Sequence, residues 1–113
     1  MYRGIVERGE GRGRALGYPT VNIELRDDSV SGIYAARVKI RSDEAPYMAA
    51  AYTDQKRKLL EAHILDFNDD LYRCEIKIEL LHKIRDSKHF HNDTALRTAI
   101  RDDIARTRAY FKK

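Results

Sequence analysis

Six short apolar runs, each closed off by turn-forming residues, occupy this 113-residue sequence from residue 2 to residue 84, and they constrain its fold more than any other feature. The runs cover 2–7, 18–25, 32–40, 47–52, 60–67 and 74–84. Several alternate with the period of a half-buried strand. Val21, Ile23 and Leu25 share one face of the second. Tyr34, Ala36, Val38 and Ile40 stand opposite Ile33, Ala35, Arg37 and Lys39 in the third, and Ile76, Ile78 and Leu80 opposite Lys77 and Glu79 in the last. The fourth, rich in alanine, carries the weakest signal. Asp27-Asp28-Ser29, Ser31-Gly32, Ser42-Asp43-Glu44 and Asn68-Asp69-Asp70 supply the turns. Strands joined by such short loops pair antiparallel, and five or six of them make a sheet that curls or closes. From Asp93 onward the pattern changes: Leu96, Ala99, Ile100, Ile104 and Phe111 recur at helical spacing, with Asn92 or Asp93 placed to cap. The expectation is an all-β domain over residues 1–113 with one C-terminal helix lying on its sheet.

Composition narrows the function classes. Hydrophobic residues make up 42% and charged residues 35%, a globular balance with a charged surface. No apolar run approaches the roughly 18 residues of a membrane span. The opening Met1-Tyr2-Arg3-Gly4 is not followed by an export-type apolar stretch, so the cytoplasm is expected. Cys74 is the single cysteine, which excludes an internal disulfide framework and a cysteine-rich zinc site. Lys and Arg number 22 against 18 Asp and Glu, a net charge of +4. The charges interleave, as in Arg26-Asp27-Asp28 and Arg101-Asp102-Asp103, so a mixed solvated surface explains them better than a nucleic-acid footprint.

Three segments carry possible chemistry. Residues 8–17 hold Gly9, Gly11, Gly13 and Gly17 among Arg8, Arg12 and Arg14. Such glycine density lets backbone N–H groups converge on an oxyanion, although a flexible basic loop would have the same composition. The segment is neither of the two common phosphate motifs: it lacks G-x-x-x-x-G-K-[ST], and Arg14 and Leu16 stand where G-x-G-x-x-G needs its third glycine. Next, Thr20 and Asn22 lie two apart in a strand and share a face; they read equally as two exposed strand residues or, beside the glycine loop, as a hydroxyl and an amide for Mg²⁺ and phosphate oxygens. In the third segment, alternation puts Glu61, His63 and Leu65 on one face and Ala62 and Ile64 on the other. A single strand carboxylate is usually solvated, but Glu61 would serve as a general base with a substrate hydroxyl in hydrogen-bond reach, and His63 reads as structural or exposed rather than as a ligand. His89 and His91 have no third ligand nearby, and Asn92-Asp93-Thr94 reads as a helix cap rather than a glycosylation site.

Read in order, Arg8-Gly9-x-Gly11-Arg12-Gly13, Leu16-Gly17-Tyr18-Pro19-Thr20-Val21-Asn22, Ser31-Gly32-Ile33-Tyr34, Glu61-Ala62-His63-Ile64-Leu65-Asp66-Phe67, Asp70-Leu71-Tyr72 and Ile84-Arg85-x-x-Lys88-x-Phe90 resemble the riboflavin kinase family over nearly the whole chain. The resemblance implies a six-stranded Greek-key β-barrel with a C-terminal α-helix. It implies transfer of the γ-phosphoryl of ATP to the 5′-hydroxyl of riboflavin, giving FMN and ADP. By position, Gly9, Gly11, Gly13 and Arg14 would cover the nucleotide phosphates. Thr20 and Asn22 would bind Mg²⁺ and phosphate, and Glu61 would be the catalytic carboxylate. Ile64, Asp66 and Tyr72 would lie near the nucleotide, and Arg85, Lys88 and Phe90 on the flavin side. Small molecules are the expected partners, with no nucleic acid or membrane and a monomer as default. The sequence departs from the family pattern between residues 50 and 59, where Ala50-Ala51-Tyr52-Thr53-Asp54-Gln55-Lys56-Arg57-Lys58-Leu59 has neither the usual Gly nor Pro and is several residues shorter. A nucleotidyltransferase motif of the His-x-Gly-His type is also missing, so conversion of FMN to FAD is not expected of this sequence. A non-catalytic flavin- or nucleotide-binding module on the same barrel is the alternative, and a basic barrel for RNA or single-stranded DNA a distant third.

Overall fold

The computed structural model describes residues 1–9, 11–41 and 44–112, with Arg12 described by its backbone alone. The strands are β1 (Tyr2–Ile5), β2 (Val21–Glu24), β3 (Ile33–Lys39), β4 (Tyr47–Asp54), β5 (Leu59–Ile64) and β6 (Glu75–Arg85). A single helical turn, α1 (Arg12–Ala15), lies between β1 and β2, and α2 (Asp93–Phe111) ends the chain. Every strand expected from the sequence is present. β2 begins at Val21 rather than at residue 18, because Tyr18, Pro19 and Thr20 form the approach to it. β4 runs on to Asp54. Of the turn expected at Ser42-Asp43-Glu44, the first two residues lie outside the described residues.

All pairings are antiparallel and the strand order is β1-β6-β3-β4-β5-β2. The two outer strands approach each other just beyond β1, where the Glu7 N–H donates to the Asn22 carbonyl at 2.8 Å. That bridge brings the sheet close to a complete ring, the Greek-key barrel expected. Its interior is filled by one face of each strand: Ile23 and Leu25 from β2 and its exit, Ala36 and Val38 from β3, Leu60, Ala62 and Ile64 from β5, Ile76 and Ile78 from β6. Ala49 and Ala51 of β4 join them, and Ala36 pairs with Ala49 in register. Facing small side chains let the barrel close tightly there. The alanines that weaken β4 as a sequence signal are therefore its packing solution.

Ala35 and Ala50 pair on the opposite face of β3 and β4, yet neither is exposed, because α2 packs across both strands. Asn92 caps that helix, its side-chain oxygen accepting the Ala95 N–H at 2.8 Å. The buried residues of α2 are Ile100, Asp103 and Thr107. Of the expected apolar stripe, only Ile100 is buried; two polar side chains complete the docking spine, with Thr107 Oγ1 donating to the Asp103 carbonyl at 2.8 Å. Among the described residues, no helix is long and apolar enough to cross a membrane.

Candidate active site

From Gly11 to Tyr18 the glycine segment is a hydrogen-bonded turn. Ala15 N–H donates to the Gly11 carbonyl at 3.0 Å, and the Gly13 carbonyl accepts from Leu16 at 3.1 Å and Tyr18 at 2.7 Å. A Cβ on Gly13 would lie 2.5 Å from the Tyr18 carbonyl oxygen, and one on Gly9 would collide with the Asn22 amide. Both glycines are needed for close approach, whereas Gly11 is needed for its φ of +75°.

Strand register gathers the other residues onto one hoop around the barrel. Arg85 pairs with Ile33, Ile33 with Tyr52, Tyr52 with Glu61, and Glu61 with Asn22. Directly paired residues of an antiparallel sheet project to the same face. Leu60 and Ala62 point inward, so Glu61 and its row point outward. Asn22, only 5% exposed, is covered by the glycine segment. With its amide oriented to satisfy both neighbours, its oxygen accepts the Gly9 N–H at 3.0 Å and its nitrogen donates to Glu61 Oε1 at 3.2 Å. Thr20 Oγ1 donates to the same Oε1 at 3.3 Å. Thr20 precedes β2 instead of lying in it, but it still converges with Asn22 on Glu61. His63 holds this approach in place: its Nδ1 sits 2.8 Å from the Pro19 carbonyl, and its ring meets Tyr18 edge-on at 5.6 Å.

Two cavities flank the cluster. The larger, about 580 Å³, is lined by Glu61, Thr20 and the loop glycines at one end and by Ile33, Phe90, Leu96 and Ile100 at the other. The smaller, about 410 Å³, is lined by Arg14, Asn22, Ile64 and Tyr72. Gly9, Gly11 and Thr20 border both. Glu61 opens onto the larger cavity and Asn22 onto the smaller. Gly13, Arg85, Lys88 and Phe90 line the larger as well, with Phe90 beneath Arg85 at 5.5 Å and Lys88 at 5.8 Å. Asp66 lines neither: it forms a two-bond ion pair with Arg108 of α2 at 3.0 and 3.1 Å, which holds its carboxyl below the usual range.

Arg85 is committed to Asp103, with Nε–Oδ1 and Nη2–Oδ2 both 2.8 Å. Tyr52 donates to the same carboxylate at 3.4 Å, and burial followed by the Asp103 charge pushes its phenol well up from the ordinary value. The segment where the sequence departs from its resemblance folds as a tight β4–β5 hairpin. Gln55 Nε2 anchors it to the carbonyls of Asp27 at 2.9 Å and Val30 at 2.6 Å, and Lys56 and Arg57 face the larger cavity. Sequence reasoning missed Tyr52 and Asp103. The one available signal was an acidic residue at position 103, three after Ile100 and four before Thr107, on the face that α2 needed to bury. Arg8, which the sequence offers as loop charge and as the start of the glycine motif, lies over the Tyr72 ring at 4.2 Å.

Thr20, Asn22 and Glu61 are hard oxygen donors of the kind Mg²⁺ takes. Among the described residues, no group of three His, Cys, Asp or Glu could hold a metal on its own.

Comparison with known proteins agrees with this geometry. The family model described as riboflavin kinase matches residues 1–111. A bifunctional riboflavin kinase/FMN adenylyltransferase of Haemophilus influenzae is 31% identical over 96% of this chain, which spans 37% of that relative. Among solved structures, a riboflavin kinase from Trypanosoma brucei superposes with a TM-score of 0.68 at 30% identity, covering 98% of this chain and 78% of that one. A Streptococcus pneumoniae protein described as a macrolide-efflux protein superposes with a TM-score of 0.79 at 32% identity, over 94% of this chain and 37% of its own. The chain thus spans little more than a third of the length of the bifunctional relative, and that third is the barrel whose glycine segment, Thr20, Asn22 and Glu61 meet here: it belongs to the riboflavin kinase family.

Proposed function

We propose that this chain, as a single unit over residues 1–113, transfers the γ-phosphoryl of ATP to the 5′-hydroxyl of riboflavin, yielding FMN and ADP. One observation carries the reading: Glu61 opens onto the larger cavity while held by Thr20, which borders both cavities, and by Asn22, which lines the smaller. The smaller cavity, lined by Arg14 and by Gly9 and Gly11, suits the nucleotide. The larger, apolar at one end and polar at the other, suits a flat ring bearing a polyhydroxyl chain.

Phosphoryl transfer asks for alignment and charge neutralisation more than for covalent chemistry. Gly9, Gly11 and Thr20 bring the backbone to the border of both cavities, and Thr20 and Asn22 would hold Mg²⁺ with the phosphates. That ion would neutralise phosphate charge. Glu61 Oε1 would take the proton of the acceptor hydroxyl, having exchanged its Thr20 and Asn22 donors for substrate. The binding-module alternative is disfavoured because these three side chains are assembled around one oxygen rather than dispersed. On this reading the partners are small molecules, the working unit is the monomer and the location is the cytoplasm.

The test is FMN formation from riboflavin, ATP and Mg²⁺, followed by chromatography, with Glu61→Gln alongside. FMN should appear only with Mg²⁺, and the variant should lose roughly 10²–10⁴-fold in turnover with its nucleotide affinity kept. Failure of the unsubstituted chain to form FMN across nucleotides and divalent ions would remove the reading.

A further inference from the structure

Tyr52 occupies the junction between the two ends of the larger cavity. It pairs with Glu61 across β4 and β5 and with Ile33 across β3 and β4, so its ring borders both the carboxylate and the apolar wall. Restraint comes from both sides. The backbone is fixed in β4, while the hydroxyl donates to Asp103, a carboxylate only 1% exposed on α2. The Asp103 bond to Tyr52 is long at 3.4 Å, but Arg85 locks that carboxylate with two bonds of 2.8 Å. A half-buried aromatic ring held in one orientation beside an apolar wall is a ready surface for a second flat ring.

We propose that Tyr52 is the acceptor-positioning residue of this chain: its ring packs against the acceptor's aromatic system and sets how far the polyhydroxyl chain reaches toward Glu61. Asp103, acting through its hold on the Tyr52 hydroxyl, is a positioning residue for that ring. The inference rests on the kinase reading above. It differs from a purely structural clip between α2 and β4, which would affect both substrates alike.

Tyr52→Ala and Tyr52→Phe in the full chain separate the two. Steady-state constants are measured for riboflavin and ATP in turn, riboflavin binding by fluorescence quenching without nucleotide, and melting temperature alongside. Tyr52→Ala should raise the riboflavin Kd and KM about tenfold or more and leave the ATP KM within about twofold. Tyr52→Phe keeps the ring and loses the tether, so it should restore riboflavin affinity to within about threefold while kcat stays severalfold low. A riboflavin Kd unmoved in Tyr52→Ala, or riboflavin and ATP constants that shift together, would overturn the proposal. An unsubstituted chain that binds riboflavin without forming FMN overturns the kinase reading alone, because the binding comparison still decides the role of Tyr52. A chain that neither binds nor phosphorylates riboflavin overturns both.

Discussion

Gly9 is glycine because Asn22 occupies the space a side chain would need. That contact also joins two parts of the proposed site, since the Asn22 amide links the Gly9 N–H to Glu61 Oε1 and so ties the glycine segment to the carboxylate. Gly9→Ala must push the buried amide aside, because the added methyl's three nearest neighbours are all atoms of that group. We expect a stability loss of about 1–3 kcal/mol by urea unfolding together with a fall in FMN formation of at least about tenfold. Glu61→Gln is the informative contrast at the same cluster. It preserves shape and leaves an oxygen for Thr20, so stability should stay within about 0.5 kcal/mol while turnover collapses. Equal effects of the two changes on stability would mean that the cluster is held by charge and not by the packing of Gly9 on Asn22.

At the scale of elements, α2 is held less by an apolar stripe than by a polar spine. Asp103 is buried and paired with Arg85, whose side chain is 22% exposed. Removing the acid leaves a largely covered guanidinium without its partner. Asp103→Ala should therefore cost about 3–5 kcal/mol, whereas Asn92→Ala, which removes an exposed cap, should cost about 1 kcal/mol. Urea unfolding followed by far-ultraviolet circular dichroism would rank them, and the reverse order would refute the polar-spine account. The same helix marks where sequence reading stops. Apolar runs closed off by turn residues placed the strands, several by period-two alternation and the Ala-rich β4 only weakly, and the Asn92 cap with its following repeat placed α2, because all of these depend on neighbours in sequence. Thr20, Asn22 and Glu61 were legible as residue types in a motif. Tyr52 and Asp103 were not, because their hydrogen bond joins positions 51 residues apart and the Tyr52–Glu61 pairing exists only once β4 and β5 are in register. Ala35 and Ala50 were hidden for a related reason: outward-facing alanines look like surface until a helix covers them.

Across the whole molecule, the Arg108–Asp66 pair and the Asp103 cluster both fasten α2 to the barrel, and each contributes to one edge of the stability–pH profile. At the exposed clasp, the Arg108 guanidinium holds Asp66 below the ordinary 3.8. A depressed carboxyl contributes stability above its unfolded value and loses it as pH falls through the folded one, so this contribution fades below pH 3.8 and is small because the pair faces solvent. The buried end behaves in the opposite sense. Burial first, and the Asp103 charge next, raise the Tyr52 phenol far above the ordinary 10.0. Its contribution is complete below pH 10, where the phenol is neutral in both folded and unfolded chains. Above pH 10 the unfolded chain releases that proton while the folded chain keeps it, so stability falls as pH rises. Ionisation in place would set a phenolate against the Asp103 carboxylate, the arrangement the fold avoids. Urea midpoints measured from pH 8 to 11.5 should therefore decline more steeply above pH 10 for the unsubstituted chain than for Tyr52→Phe, which has no phenol to ionise. Parallel curves for the two proteins would show that Tyr52 releases its proton in the folded state as freely as in the unfolded one, and would dissolve the Tyr52–Asp103 link on which the acceptor-positioning role depends.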